Sequence, residues 1–244
     1  MDAAGNAQAL ALDKNAELTL DVAVHLGTLL AVCSYFWRDC LSLFSGLLTL
    51  LRAKSNADSH LFLSLVIASI PVFIAGYILK STGFVDLLRS PLVIASTTLC
   101  FGLLLGLVDK LCQQNKNVAQ LGYSAYLFLG LAQILALIPG TSRSGITMTA
   151  GRYLGLPRAA SAHVAMLLAI PAILGAGTLT SLDLLSSGNA SLSWYAGLAV
   201  LLSFGFALLA IWGMMTWLKR ASFMVFVIYR IALSAALFAW ILLA

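Results

Sequence analysis

The chain has 244 residues, of which 61% are hydrophobic and only 9% charged, with a net charge of +5 and a mean hydropathy of +0.99. A soluble domain carries about a quarter of its residues charged, so this chain lacks the polar surface that water would require, and lipid must be its solvent. The basic residues form no dense stripe, which speaks against nucleic acid as a partner and marks them as flanks of membrane spans.

Met1–Glu17 is rich in Ala, Asn and Gln and has neither the basic start nor the apolar centre of a signal peptide. It is expected as a short polar tail ahead of a single membrane domain covering 18–244. Apolar segments follow at Leu18–Trp37, Leu61–Leu79, Pro91–Val108, Ala119–Ile138, Ala159–Leu182, Trp194–Leu218 and Ser222–Leu243. Most approach the roughly 20 residues that cross a bilayer core. Leu41–Leu51 is too short to cross and is expected to lie at the interface or to end a helix. Pro71 and Pro171 lie inside spans, where neighbouring helices can satisfy the freed carbonyl. Cys33, Cys40, Cys100 and Cys112 show neither disulfide nor zinc spacing, and no metal-ligand cluster is visible. Ala68-Ser69-Ile70-Pro71 faintly echoes Leu168-Ala169-Ile170-Pro171, which fits either an internal repeat or shared membrane-helix composition.

The distribution of Lys and Arg tests how the middle of the chain runs. If 119–156 dips into the membrane and returns, one face carries Arg38, Arg52, Lys54, Lys110, Lys116, Arg152, Arg158, Lys219 and Arg220, against Lys14, Lys80 and Arg89 on the other. Nine against three is a usable bias; a plain crossing of Ala119–Ile138 would make it five against seven, which decides nothing. The expected fold is therefore all-α: a polytopic membrane helix bundle of about six crossings plus one re-entrant helical hairpin over about 119–156. Both chain ends then lie on the less basic, exterior face.

The strongest chemical signal sits in that hairpin, at Pro139-Gly140-Thr141-Ser142-Arg143-Ser144-Gly145. Pro139-Gly140 ends one half-helix, and Ser142 or Thr141 can cap the next. Free amides and the helix dipole at such a start form an anion site. Ser142, Ser144 and Thr147 add hydroxyls, and Arg143 can grip phosphate oxygens with two parallel bonds. Gly140 and Gly145 leave room for close approach. An arginine at membrane depth is costly, so function is its default reading; the structural alternative pairs it with backbone carbonyls. Gly151 and Gly155, in G-x-x-x-G spacing, read more simply as helix packing. Asp21 and His25 share a helix face at i,i+4, as either an acid–base pair or a stabilising hydrogen bond. Arg230 is a secondary phosphate candidate, with helix–helix pairing as the alternative. His60 and His163 are expected to do no chemistry, and Trp37, Trp194 and Trp217 to anchor the interface.

Gly130-x-x-Gln133, then Leu137-x-Pro139-Gly140-x-Ser142-Arg143-Ser144-Gly145-x-Thr147, resembles the second signature of the bacterial undecaprenyl-diphosphatase family of the bacitracin-resistance type. Asp21-Val22-Ala23-Val24-His25, Tyr35-Phe36-Trp37-Arg38, Leu167-Leu168-Ala169-Ile170-Pro171 and Tyr229-Arg230 agree in order. The resemblance implies hydrolysis of a polyprenyl diphosphate to its monophosphate in the cell inner membrane, recycling the lipid carrier of cell-wall synthesis at a site open to the exterior. It implies that Arg143, Ser142 and Thr147 act on the diphosphate, with Gly140, Thr141, Ser144 and Gly145 cradling it, and that a divalent cation, Mg or Ca, takes part.

The family's other signature, of the form E-G-x-T-E-F-L-P-x-S-S-x-x-H, would precede Leu18, and Met1–Glu17 holds no counterpart; Glu17 is the single glutamate of the chain. That signature is therefore missing through truncation, a misplaced start or true divergence, and the chain as given is expected to bind a lipid diphosphate and hydrolyse it poorly or not at all, with Asp21 and His25 as the visible substitutes for the acid–base partners. A carrier that binds or flips a lipid phosphate without hydrolysis is the alternative.

Overall fold

The computed structural model describes residues 3–82, 88–186 and 194–243, and every regular element among them is helical. The α-helices are α1 (Ala3–Tyr35), α2 (Trp37–Leu51), α3 (Ala57–Thr82), α4 (Pro91–Leu111), α5 (Tyr123–Ile134), α6 (Arg143–Tyr153), α7 (Arg158–Ser186), α8 (Trp194–Leu218) and α9 (Met224–Leu243). Among the described residues, six helices are long and apolar enough to cross a membrane: 17–35 within α1, α3, α4, 158–178 within α7, α8 and α9. The amphipathic α2 is too short, as expected, and so is each leg of the segment built from α5 and α6. The backbone over 3–17, expected as a tail, is helical and continuous with the first span; Pro is absent from it and Ala and Leu favour helix. Trp37 and Trp194 are strongly exposed, in keeping with interface anchors.

The chain divides into two compact units, Met1–Cys40 with Ile170–Gly213, and Leu41–Ala169 with Met214–Ala244. In the first, Gly27 of α1 faces the Ser203 side chain and the Val200 carbonyl of α8, so closely that a β-carbon would collide. A groove of about 250 Å³ runs between α1 and α7, lined by His25, Leu26, Leu29, Ile173 and Leu174.

The second unit holds the hairpin. Ser90 caps α4 by accepting from the Val93 amide at 3.2 Å, with Pro91 in the first turn, where a missing N–H costs nothing. Gly130 lets α5 press against the Ala68 carbonyl of α3. Gly102 and Gly106 of α4 face Arg230 and Val227 of α9, and a β-carbon on Gly102 would lie 3.0 Å from that of Arg230. Small residues four apart bring membrane helices together in this way. The Ser234 hydroxyl then reaches the Ala95 carbonyl across the same contact at 2.8 Å.

The expected packing pair Gly151 and Gly155 divides into two roles. Gly151 packs on Ser161, but Gly155 has φ +95° and ends α6 in a left-handed turn. Its carbonyl accepts from the amides of Asn115 and Lys116, both at 3.1 Å. The strand of chain entering the hairpin is thus bonded to the strand leaving it. Two helices of 12 and 11 residues, about 18 and 16 Å long at 1.5 Å per residue, rise to a shared tip and return to the same end.

Candidate functional site

α5 tightens through the 3-10 turn Leu135–Leu137 before the chain reverses at Pro139-Gly140. Gly140 has φ +88°, and a β-carbon there would strike Thr97 and the Ile94 carbonyl of α4. The Thr97 hydroxyl, 2.6 Å away, donates to the Pro139 carbonyl, and the Thr98 hydroxyl donates to the Gly140 carbonyl at 3.2 Å. The same Gly140 carbonyl accepts from Arg230 Nη2 at 2.8 Å, while Arg230 Nε donates to the Thr98 carbonyl at 3.2 Å. The carbonyls of the turn are therefore held against α4 and α9, and α6 starts from a fixed point.

Ser142 is the helix cap. Its φ of 67° is unusual for a residue with a side chain, a conformation that costs on the order of 1–3 kcal/mol and persists only when its surroundings hold it. Its hydroxyl accepts from the Gly145 amide at 3.3 Å and lies 3.5 Å from the Ser144 hydroxyl. The amides of Arg143 and Ser144 open the helix, where no preceding turn exists to accept from them. Arg143 is half-buried, and its guanidinium has no hydrogen-bond or ion-pair partner among the described residues.

The other expected site residues fall differently. Thr147 is 1% exposed, and its hydroxyl donates to the Arg143 carbonyl at 2.9 Å; it steadies the first turn and offers no free donor proton. Thr141 is fully buried with an unpartnered hydroxyl, as is Gln133 with both polar atoms of its amide. Ser142, Ser144, Gly140, Gly145 and Arg230 line one cavity of about 480 Å³. Arg230 pairs helices through backbone carbonyls and also lines this cavity. Asp21 and His25 meet as their spacing requires, 3.5 Å apart, with the imidazole Nδ1 donating to the Asp21 carbonyl at 2.7 Å. His60 stacks on Tyr123, with ring centroids 4.5 Å apart.

Sequence reasoning missed the base of the hairpin. Asp109 of α4, buried, accepts from Arg152 Nε at 3.1 Å, from Arg158 Nε at 2.8 Å and from the Phe223 amide at 3.2 Å. Arg152 is fully buried. Its Nη atoms donate to the carbonyls of Asp109, Cys112, Gln113 and Leu156 at 2.6–3.4 Å, so all five of its N–H groups are used. Arg152 and Arg158, counted from sequence as loop charges on the basic face, are instead partners of one carboxylate. Nothing in the sequence announces this pairing, since the partners are 43 and 49 residues apart.

The described residues contain no group of three His, Cys, Asp or Glu side chains able to hold a metal. A hard divalent cation takes oxygen ligands, chiefly carboxylates, whereas the hairpin tip offers arginine, hydroxyls and amide hydrogens. Its residues do not fit the cation implied by the sequence resemblance.

Comparison with known proteins gives a consistent result. The family described as bacitracin resistance protein BacA matches residues 6–236. Undecaprenyl-diphosphatase 1 of Rhodospirillum rubrum is 46% identical over 224 residues, covering 91% of this chain and 79% of its own length. The undecaprenyl-diphosphatases of Alteromonas mediterranea and Roseobacter denitrificans are 45% and 44% identical over 223 and 221 residues, each covering 90% of this chain and 83% of their own.

Proposed function

The chain belongs to the bacitracin resistance protein BacA family, and from that membership we propose that it is a membrane phosphatase converting undecaprenyl diphosphate and water to undecaprenyl phosphate and inorganic phosphate. The observation that carries this reading is the Arg143 guanidinium at the start of α6, without a partner among the described residues and beside the capped first turn. Phosphoryl transfer spreads charge over the equatorial oxygens and asks the protein chiefly for positioning and electrostatic stabilisation. Arg143 and the amides of Arg143 and Ser144 supply that stabilisation, with the hydroxyls of Ser142 and Ser144 adding donors. Gly140 and Gly145 keep the approach open, and the buried Thr141 and Thr147 hold the turn in shape.

We place the protein in a bacterial inner membrane, with the tip reached from the exterior. Discounting the paired Arg152 and Arg158, the basic bias is seven against three, which supports a cytoplasmic basic face. The test is phosphate release from synthetic undecaprenyl diphosphate by the purified protein in lipid. Arg143→Ala should abolish release, and Arg143→Lys, which keeps charge but loses the fork, should lower it by about one to two orders of magnitude. Undiminished release in Arg143→Ala would refute the assignment.

A second reading, a carrier that binds or flips a lipid phosphate without hydrolysing it, draws on one observation. The cavity at the tip is lined by Arg230, hydroxyls and apolar groups, with neither a carboxylate nor an imidazole among them. Stoichiometric binding of the diphosphate without phosphate release would select it.

A further inference from the structure

The base of the hairpin, about 16 Å of helix away from its tip, gathers the unbalanced charge of the chain. Asp109 is the single acid between Asp86 and Asp183, and no acid follows Asp183. Around Asp109 the fold brings Lys110 at the end of α4, Lys116 on the segment entering the hairpin, and Arg152 and Arg158 at its exit. Lys219 and Arg220 join them on the turn that leads to the Phe223 amide, itself bonded to Asp109. Six cations and one carboxylate leave a surplus of five, equal to the net charge of +5 of the whole chain, so the remaining residues are neutral in sum.

Arg152 is used up inside the protein, and five cations face outward. The Arg158 side chain is 28% exposed; its Nε donates to both oxygens of Asp109 at 2.8 and 3.1 Å, and its Nη1 and Nη2 have no partner among the described residues. Lys110, Lys116, Lys219 and Arg220 are exposed and form no salt bridge among the described residues. The Lys116 stem lies against Gly155, its Cγ 3.5 Å from where a β-carbon would stand, beside the turn that leads to Arg158. Next to these cations in the chain come Leu111, Tyr153 and Trp217, all exposed. Exposed Tyr and Trp beside Lys and Arg mark the headgroup level of a bilayer.

We propose that this patch is a headgroup site for an anionic phospholipid, with the phosphate diester on the Nη edge of Arg158 and the other four cations around it. Asp109 fixes the plane of the guanidinium, so its outward nitrogens are set for a two-point grip on phosphate oxygens. The apolar and aromatic neighbours select a lipid over a free anion, since acyl chains can lie on them while the headgroup meets the cations. Lipid phosphates are also already concentrated at this depth, where each Lys or Arg adds to the attraction. Arg158, Arg152 and the Phe223 amide share one carboxylate, so a headgroup held by Arg158 stabilises the base of the hairpin by mass action.

The test uses the full chain in neutral detergent, with native mass spectrometry and thermal unfolding as readouts and phosphatidylglycerol and phosphatidylcholine as probes. Phosphatidylglycerol should remain bound and raise the unfolding midpoint, and phosphatidylcholine should do neither. Each cation removed should weaken the lipid by about fivefold. The combined variant Lys110→Gln, Lys116→Gln, Lys219→Gln and Arg220→Gln should therefore lose both the adduct and the rise in midpoint. Its midpoint without lipid should match the wild type, because these side chains are exposed. Arg52→Gln with Lys54→Gln removes two exposed cations from the turn between α2 and α3 and should leave both readouts unchanged. Retention of the phosphatidylglycerol adduct in the combined variant would overturn the proposal. An equal loss per cation in the Arg52 and Lys54 variant would overturn it in favour of diffuse attraction to the whole basic face. Displacement of the lipid by millimolar inorganic phosphate would overturn it in favour of a free anion.

Discussion

Arg230 and Gly140 lie ninety residues apart in sequence and are joined by a hydrogen bond of 2.8 Å from the guanidinium to the carbonyl of the turn. Through that bond the last helix holds the point from which α6 starts, and with it the direction of the first-turn amides.

Gly140→Ala should disable the site without dissolving the bundle. The φ of +88° is unfavourable for alanine, and the added carbon meets Thr97 and the Ile94 carbonyl. The cost is expected at about 1–3 kcal/mol of strain, and the turn should retreat from α4. Diphosphate binding measured in nanodiscs should fall by at least tenfold, the equivalent of about 1.4 kcal/mol, while helical circular dichroism stays as in the wild type. Unaltered binding would show that the turn tolerates a side chain.

Gly102→Ala tests whether the approach of α4 to α9 positions Arg230. The new methyl would stand 3.0 Å from the Arg230 β-carbon and 3.2 Å from its Nε. Overpacking of this kind typically costs about 1–3 kcal/mol. Because Arg230 holds the Gly140 carbonyl, its displacement should loosen the turn, and diphosphate binding in nanodiscs should fall by about tenfold. Unaltered binding would mean that Arg230 keeps its place despite the added methyl.

Asp109→Ala should be the most damaging substitution in the second unit. It strands Arg152, which is fully buried, and unpairs Arg158 and the Phe223 amide. Breaking a buried ion pair from one side costs about 3–5 kcal/mol. Thermal unfolding in detergent should show a large drop in midpoint, with Asp109→Asn intermediate because it still accepts hydrogen bonds. A midpoint unchanged in Asp109→Ala would mean that Arg152 is satisfied by its carbonyls alone.

Single cysteines at Lys116 and Leu154, in a background free of native cysteine, should label from the same side of the membrane, since Lys116 bonds to Gly155 at the base of the hairpin. Exterior labelling of both would reverse the proposed orientation, and labelling from opposite sides would end the hairpin model.

Native Cys40 should resist maleimide at neutral pH. Burial and the neighbouring Cys33 push its thiol up to about 11, and the thiolate is the reactive form. Its modification rate should rise roughly tenfold per pH unit up to that value. A rate at pH 7.5 equal to that of a free thiol would contradict the burial.

The hairpin was legible because Pro139-Gly140 breaks the backbone at membrane depth, and because the Lys and Arg bias reaches nine against three only if 119–156 returns to its own side. Ser142 as cap was legible for the same local reason. Partners that are backbone atoms were not. Arg230 stood out as a charge within a span, but the carbonyls of Thr98 and Gly140 leave no mark in a sequence. Asp109 escaped because its partners are distant, and a lone acid next to Lys110 reads as an ordinary span end. Glycine spacing misled in one place: Gly151 and Gly155 share the spacing of Gly102 and Gly106, yet only the latter pair brings two helices together. Gly155 is present for its backbone angle, which spacing cannot reveal.

The bond between Arg230 and Gly140 also sets a timetable. A chain growing at 5–20 residues per second needs about 5–18 s to add the ninety residues that separate them. The Asp109 bond to the Phe223 amide, across 114 residues, is delayed still longer. Throughout that interval the hairpin can be closed at its base by Asn115 and Lys116 on Gly155, but its tip has nothing from α9 to hold it. A nascent chain halted before α9 should therefore carry a hairpin open to membrane proteases, and one released with α9 complete should not.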